Sequence, residues 1–315
     1  YRTIVLEPGE DAPAAQLANQ QIVAAYDDET ALAELANLCD VVTYEFENVP
    51  MSAARFLQER VSFYPPSRAL EVSQDRLVEK TTLEQASIDV SPFRPVDSVD
   101  DLRGALAEFN GGVLKTRRFG YDGKGQHVFH SADAEDTDAV LESIGQGPFI
   151  LEKLIDFKSE FSVIAARGRD GVGSAFDPAT NVHENGILRT STVPSSISED
   201  VVRAAMGVAQ KLMLALDYVG VIGIEFFETD EGLLVNEFAP RVHNSGHWTR
   251  EACSVSQFEQ HIRAITGHSL GSTARHSDCV MHNLIGAEGD DITALMAEDY
   301  VVVTLYGKAE SRPGR

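Results

Sequence analysis

Apolar and polar positions fall into short blocks that change period several times along the chain. Thr3-Ile-Val-Leu6, Gln21-Ile-Val-Ala24 and Val41-Val-Thr-Tyr-Glu-Phe46 read as strands, with helical segments from Glu29 to Leu38 and from about Ser52 to Glu59. Strands alternating with helices predict a small parallel sheet over residues 1–66, closed by Pro65-Pro66. Ser67 to Ala86 then reads as one helix and Val99 to Phe109 as another. Val90 to Val96, with two prolines, reads as an extended link or short edge strand.

From Gly112 the pattern turns to strands: Gly112 to Thr116, Gln126 to Phe129, Phe149 to Leu154 and Glu160 to Ala166, interrupted by an acidic helix around Ala134 to Ile144. These predict antiparallel strands of a small lid, about 112–167. Asp177 to Leu188 reads as a loop region. Ser198 caps a helix to about Leu216 whose Val201, Val202, Ala205, Val208, Ala209, Leu212, Met213 and Leu216 form one stripe. Ser256 caps another that Gly267 ends, and Met281 to Ile285 and Tyr300 to Leu305 are strand-like.

The densest polar chemistry follows the Ser198 helix. Val219 to Phe227 and Leu233 to Phe238 are apolar, β-branched runs joined by Glu228-Thr-Asp-Glu-Gly232, a β-hairpin pattern. With Asp230-Glu231-Gly232 as a three-residue loop, Thr229 faces Leu233, and pairing outward from there sets Glu225 opposite Glu237. Opposed carboxylates repel unless a cation sits between them, and a hard ion with oxygen ligands, Mg²⁺, is the simplest resolution. A register slipped by one would instead point the two glutamates to opposite faces. The strand ends at Pro240, and Arg241, His243, Asn244, Ser245 and His247 follow around Gly246, a loop suited to presenting donors to an anion.

Totals narrow the classes. With 315 residues, two or three modules sharing a cleft are expected. A net charge of −23 argues against a nucleic-acid or anionic-membrane surface, so a phosphate ligand must meet local basic groups. Cys39, Cys253 and Cys279 show no CxxC pairing and suit a reducing cytosol, and no run reaches transmembrane length. The first residue is not Met and Tyr1 to Leu6 looks like an internal strand, so an N-terminal segment is expected to be missing.

Further constellations fit one ligand. Lys115 precedes the glycine-rich turn Gly120-Tyr121-Asp122-Gly123-Lys124-Gly125-Gln126, whose backbone N–H groups can cradle phosphate, although no GxxxxGK[ST] occurs and a plain hairpin is the alternative. Glu152-Lys153-Leu154-Ile155 ends a strand able to offer backbone groups to a nucleobase, and Glu160 could accept from ribose hydroxyls. Either acid could equally sit on the surface. His183 lies in a polar segment, Arg76 is a lone helix cation, and Glu45, after its strand, is a substrate candidate. In order these pieces describe a nucleoside triphosphate held between a lid and a carboxylate-bearing sheet.

On these residues the chain resembles the ATP-grasp superfamily, and within it the 5-(carboxyamino)imidazole ribonucleotide synthases. Arg241-Val-His-Asn-Ser-Gly-His-Trp248 carries the resemblance most specifically, with Phe119 to Gln126, Asn185-Gly-Ile-Leu-Arg-Thr190, Tyr44-Glu-Phe-Glu-Asn48 and Arg312-Pro-Gly-Arg315. The resemblance implies an α/β chain, α+β in its grasp part: an ATP-grasp fold (67–268) with an N-terminal Rossmann-like domain (1–66), an antiparallel-sheet lid and the start of a small C-terminal domain (269–315). It implies ATP- and bicarbonate-dependent carboxylation of aminoimidazole ribonucleotide through carboxyphosphate, in a cytoplasmic homodimer that binds small molecules rather than nucleic acid or membrane. ATP would be held by Arg76, Lys115, residues 120–126, Glu152 to Ile155, Glu160, His183, Asn236 and Glu237, and Mg²⁺ by Glu225 and Glu237. Arg241, His243, Asn244 and Ser245 would take bicarbonate, and Glu45, Tyr121, Asp122, Arg312 and Arg315 the ribonucleotide. Family members usually start with a further strand and glycine-rich turn and continue beyond Arg315. The alternatives are another grasp ligase joining a carboxylate to an amine, and a nucleotide-binding protein without turnover.

Overall fold

In the computed structural model of the chain, all residues are described except Asp11, 121–124, 133–135, Gln146, Asp291 and 308–315. The N-terminal part has β1 (Ile4–Leu6) parallel to β2 (Gln20–Ile22), then α1 (Glu29–Leu38), β3 (Val41–Val42), α2 (Met51–Gln58) and β4 (Ser62–Phe63), with β3 parallel to β4. The parallel pairing expected from the βαβ pattern is present, as two separate pairs. Leu32, Leu35, Ala53, Leu57 and Phe63 form its core, and Asp28 starts α1 by accepting from the N–H groups of Thr30 and Ala31. Strand β3 is shorter than the apolar run suggested: from Thr43 the chain leaves the sheet and carries its polar residues to the cleft.

The segment read as one helix is two, α3 (Ser67–Ser73) and α4 (Arg76–Gln85). Asp75 breaks it. Its backbone is extended (φ −138, ψ 111), and its carboxylate caps α4 through Leu77 and Val78 N–H while receiving Arg117 at 2.9 and 2.8 Å and Arg118 at 3.2 Å. The local apolar pattern does not reveal such a break, because the arginines that hold Asp75 lie far along the chain.

A four-stranded antiparallel sheet follows, from β5 (Phe93–Val96), β6 (Gly112–Thr116), β7 (Gln126–Phe129) and β8 (Phe149–Glu152), in the order β5-β8-β6-β7, with α5 (Val99–Phe109) and α6 (Thr137–Ile144) against it. Strand β9 (Ser159–Arg167), expected in the lid, belongs instead to a seven-stranded sheet. The others are β10 (Gly173–Ala175), β11 (Ala179–Glu184), β12 (Ile187–Val193), β13 (Gly220–Glu228), β14 (Leu233–Ala239) and β15 (Cys279–His282), on the path β14-β13-β9-β11-β12-β15. The region 177–188, expected as a loop, is largely the hairpin β11–β12. Asn185 and Gly186, at φ 53 and 77, make its two-residue turn, the pattern that Asn-Gly favours.

Strands β9 and β13 are buried at the sheet's centre. Helix α7 (Glu199–Ala215), capped by Ser198 as expected, covers one face with Ala205, Ala209, Leu212 and Met213. On the other face Trp248 and Phe176 meet edge-on among Ile164, Val221 and Ala252, near α8 (Thr249–Ala252) and α9 (Gln257–Thr266). Each large apolar side chain so buried contributes about 1.5–3 kcal/mol. Strand β15 extends the same sheet, pairing with β12, and the strand-like 300–305 forms no strand among the described residues. No described helix is long and apolar enough to cross a membrane, and the three cysteines are free.

Candidate active site

Glu225 and Glu237 face each other across β13–β14. They arrive there by two departures that cancel. The connection is a four-residue turn, in which Thr229 N–H donates to Gly232 O, and it sets Glu228 opposite Leu233 and Phe226 opposite Val235. A bulge then inserts Asn236 and restores the predicted partnership at Glu225. The bulge brings the Asn236 amide onto Glu225 as a hydrogen-bond donor.

The pleat places Glu160 of β9, His183 of β11 and Glu225 of β13 on this face. His183 Nδ1 lies 3.0 Å from Glu160 Oε2, and one ligand atom from each of the three residues falls within 4.8 Å of the others. Glu237 stands outside that trio, held by Arg76 at 2.7 Å. Burial, then the charge of Glu237, pushes Glu225 up to about 8. Burial opposes ionisation of Glu237 as well, but Arg76 and Lys115 outweigh it and hold that carboxyl down to about 2. Burial likewise works against protonation of His183, and Glu160 and Glu225 reverse it, raising the imidazole.

Arg76 opens α4, and one turn on come two residues that carry no apolar signal yet point inward. Glu79 is buried, accepts from Phe238 N–H at 2.8 Å, and is raised to about 8 by burial and by Glu237. Lys80 is 0% exposed. Its ammonium donates to Asn236 O at 2.7 Å and sits 3.2 Å from Glu152 Oε2. Sequence reasoning missed both; the signal was charge at the i+3 and i+4 positions of a helix whose i+7 residue, Leu83, is core.

On the smaller sheet, Lys115 and Glu152 share a face, with Nζ and Oε1 3.1 Å apart. Glu152 is 3% exposed, which removes the surface alternative. Burial would raise it, but Lys115, Lys80 and Arg76 hold it down to about 2, while burial lowers Lys115 against the pull of Glu152. Lys153, Leu154 and Ile155 line the cleft just beyond β8, with Lys153 N–H given to Pro92 O at 2.8 Å. Gly120 and Gln126 line it too. Gly125, at φ +70, accepts from Thr116 N–H, and a Cβ there would sit 2.7 Å from Thr116 Oγ1. Tyr121, Asp122, Gly123 and Lys124 lie outside the described residues, as do Arg312 and Arg315.

Beyond β14 the loop divides its polar residues between cleft and core. Arg241, His243 and Asn244 line the cleft. Ser245 does not: it is 0% exposed, receives Ser162 Oγ–H at 2.7 Å, and lies 2.8 Å from His243 Nδ1. Its N–H also donates to Nδ1, so Nδ1 is the acceptor and the neutral ring carries its proton on Nε2, which is 3.8 Å from Glu225. Burial and Arg241 lower His243 to about 4, keeping it neutral. His247 is lowered to about 4 by burial, Arg241 and Arg250, and bonds Tyr306 through Nδ1 at 2.8 Å. Glu45 lines the cleft, raised by burial against the pull of Arg241. One cleft of about 2100 Å³ thus joins Lys115, Glu152, Glu160, His183, Glu225, Asn236, Glu237 and Arg241.

A ribonucleotide synthetase preATP-grasp domain model matches residues 1–74, an ATP-grasp domain model residues 81–258, and a phosphoribosylaminoimidazole carboxylase C-terminal domain model residues 279–315. The N5-carboxyaminoimidazole ribonucleotide synthase of Brucella melitensis is 56% identical over 317 residues, covering 100% of this chain and 88% of the relative, and that of Bacillus subtilis is 40% identical over 100% and 83%. An ADP complex of an N5-carboxyaminoimidazole ribonucleotide synthetase superposes with a TM-score of 0.95 at 40% identity, covering 99% of this chain and 83% of the other. The synthase of Aspergillus clavatus in complex with ADP and 5-aminoimidazole ribonucleotide superposes with a TM-score of 0.91 at 25% identity, covering 100% and 92%. The chain belongs to the N5-carboxyaminoimidazole ribonucleotide synthases of the ATP-grasp superfamily.

Proposed function

We propose that this chain carboxylates aminoimidazole ribonucleotide with ATP and bicarbonate, and that the residues joined in the cleft divide the work. The observation that carries the reading is the run from Glu237 to His243, where a carboxylate pair suited to nucleotide chemistry is followed within six residues by a cleft-lining guanidinium and a neutral imidazole. ATP lies between the two sheets. Lys115, Gly120 to Gln126 and Arg76 meet its phosphates, Glu152 to Ile155 its base, and Glu160 and His183 its ribose.

Glu225, Asn236 and Glu237 offer oxygen ligands, and Glu225, raised to about 8 by burial and then by the charge of Glu237 opposite it, gains from a cation, so the donor set fits Mg²⁺. Bound there, the ion would neutralise charge on the transferring phosphoryl group. Arg241, the Nε2–H of His243 and Asn244 orient bicarbonate, and Ser245 acts by fixing the His243 ring. A bicarbonate oxygen attacks the γ-phosphorus and ADP leaves, giving carboxyphosphate. Glu45, Tyr121, Asp122, Arg312 and Arg315 are assigned to the ribonucleotide, whose exocyclic amine then attacks the carboxyl carbon. The C–O bond to phosphate breaks, phosphate departs with the electron pair, and the amine proton passes to phosphate or solvent. Closure of the lid would keep water from carboxyphosphate. The reading also carries Mg²⁺ dependence, a homodimer and a cytoplasmic setting.

The test is ADP release by the full chain with each substrate omitted in turn. Release that requires ATP, Mg²⁺, bicarbonate and the ribonucleotide is expected. Release unaffected by bicarbonate, or supported by another carboxylic acid in its place, would overturn the assignment.

A further inference from the structure

The loop after β3 offers two carboxylates to the cleft, Glu45 and Glu47. Glu47 receives Arg241 side-on: Nε donates to Oε2, Nη2 donates to Oε1 at 2.9 Å, and Nη1 donates to Val242 O at 2.9 Å. A guanidinium has five N–H donors in one rigid plane. Three are used within the protein, which leaves one on each Nη, a pair able to meet a planar oxyanion.

Glu47 is itself held. Gln74, at the end of α3, donates from Nε2 to Glu47 O at 2.9 Å and to Val49 O at 2.7 Å. A continuous line of contacts therefore runs from α3 through Gln74 and Glu47 to Arg241. Glu45 and Glu237 also attract the guanidinium, so its direction depends on which carboxylate grips it. Of the three carboxylates, Glu47 alone grips it with two hydrogen bonds among the described residues.

We propose that Glu47 is a positioning residue for bicarbonate: its carboxylate fixes the plane of Arg241, so that the two remaining N–H groups face the anion, and it ties the N-terminal part of the chain to that site. This rests on the reading of Arg241 as a bicarbonate group. Replacing the carboxylate by an amide removes one acceptor and sets an N–H₂ against the guanidinium, so the effect should fall on bicarbonate and spare the nucleotide.

Steady-state kinetics of Glu47→Gln in the full chain, varying bicarbonate, ATP and aminoimidazole ribonucleotide in turn, test this. We expect kcat/KM for bicarbonate to fall about 10–100-fold, the usual effect of losing a partner that orients a ligand-binding group. KM for ATP should stay within about twofold, because ATP binding does not use Arg241. A bicarbonate kcat/KM that stays near wild type, or KM values for all three substrates rising together, would overturn the inference, the latter marking a merely structural tie. If Glu47→Gln does not fold, Glu47→Asp keeps the charge at shorter reach. It should show the same bicarbonate-selective loss at smaller size, and a uniform loss would again overturn the inference. Wild-type ATP consumption that is independent of bicarbonate would sink the functional reading instead, a separate outcome.

Discussion

Lys80 joins the two sheets that enclose the cleft, and Lys80→Met isolates that joint. The ammonium is fully buried, 2.7 Å from Asn236 O, 3.4 Å from Val235 O and 3.2 Å from Glu152 Oε2. Methionine fills similar volume without charge. The change leaves Glu152 with Lys115 as its near cation and Asn236 O without its donor. Removing one partner of a buried ion pair costs about 3–5 kcal/mol, and an orphaned buried carbonyl about 1–3 kcal/mol. The two overlap because one ammonium serves both, and Lys115 at 3.1 Å still compensates Glu152, so a net loss of about 3–4 kcal/mol is expected. Against a typical total of about 5–15 kcal/mol this is resolvable by urea unfolding as a drop in midpoint at constant slope. Glu152→Gln in the same background should cost less than it does alone, by about 1–3 kcal/mol, since the uncompensated charge is then gone. A Lys80→Met loss below about 1 kcal/mol, or additive costs in the double variant, would refute the joint.

Glu237→Gln should fold, because its side chain is 37% exposed, yet lose phosphoryl transfer in an ADP-release assay; unchanged turnover would mean that the carboxylate pair holds no metal. At Gly223 a Cβ would lie 2.5 Å from His243 Cβ, so Gly223→Ala should displace the imidazole and raise KM for bicarbonate more than for ATP, an expectation defeated by parallel changes in both. His261 is buried, with Val221 N–H on Nδ1 and Thr43 on Nε2, and burial lowers it to about 4. Its neutral form is the folded one, so its contribution is present above about 6.5, the unfolded value, and is lost as pH falls toward 4. Between pH 7.5 and 5 that amounts to about 2 kcal/mol, and His261→Asn should flatten the stability curve by that amount in paired urea titrations. Equal slopes in the two proteins would contradict it.

Much of this site is legible in the sequence because strand alternation and turn chemistry are local. The hairpin around 229–232, the caps at Ser198 and Ser256, and the strand carrying Lys115 follow from residues within a few positions of each other. The Glu225–Glu237 pairing is the instructive case, since a mis-sized turn and an unseen bulge cancelled. The pattern of apolar residues does not report a bulge whose extra residue is polar on a polar face. What stayed illegible depends on contacts between distant segments. Glu79 and Lys80 read as solvated helix charges until β14 is laid against them, and Asp75 breaks a helix because arginines 42 and 43 residues later hold it. Glu47 and Glu45 are indistinguishable until Arg241, 194 residues on from Glu47, chooses between them. The Asn185-Gly186 turn, by contrast, was a local signal that the polar composition of 177–188 obscured.

In the proposed reaction a bicarbonate oxygen takes the γ-phosphoryl group. Turnover with ¹⁸O-labelled bicarbonate and unlabelled ATP, followed by mass spectrometry of the released phosphate, reports that transfer, because breaking the C–O bond of carboxyphosphate leaves the bridging oxygen on phosphorus. One labelled oxygen in each phosphate, released in step with product, is the predicted result. Unlabelled phosphate released in step with product would contradict it.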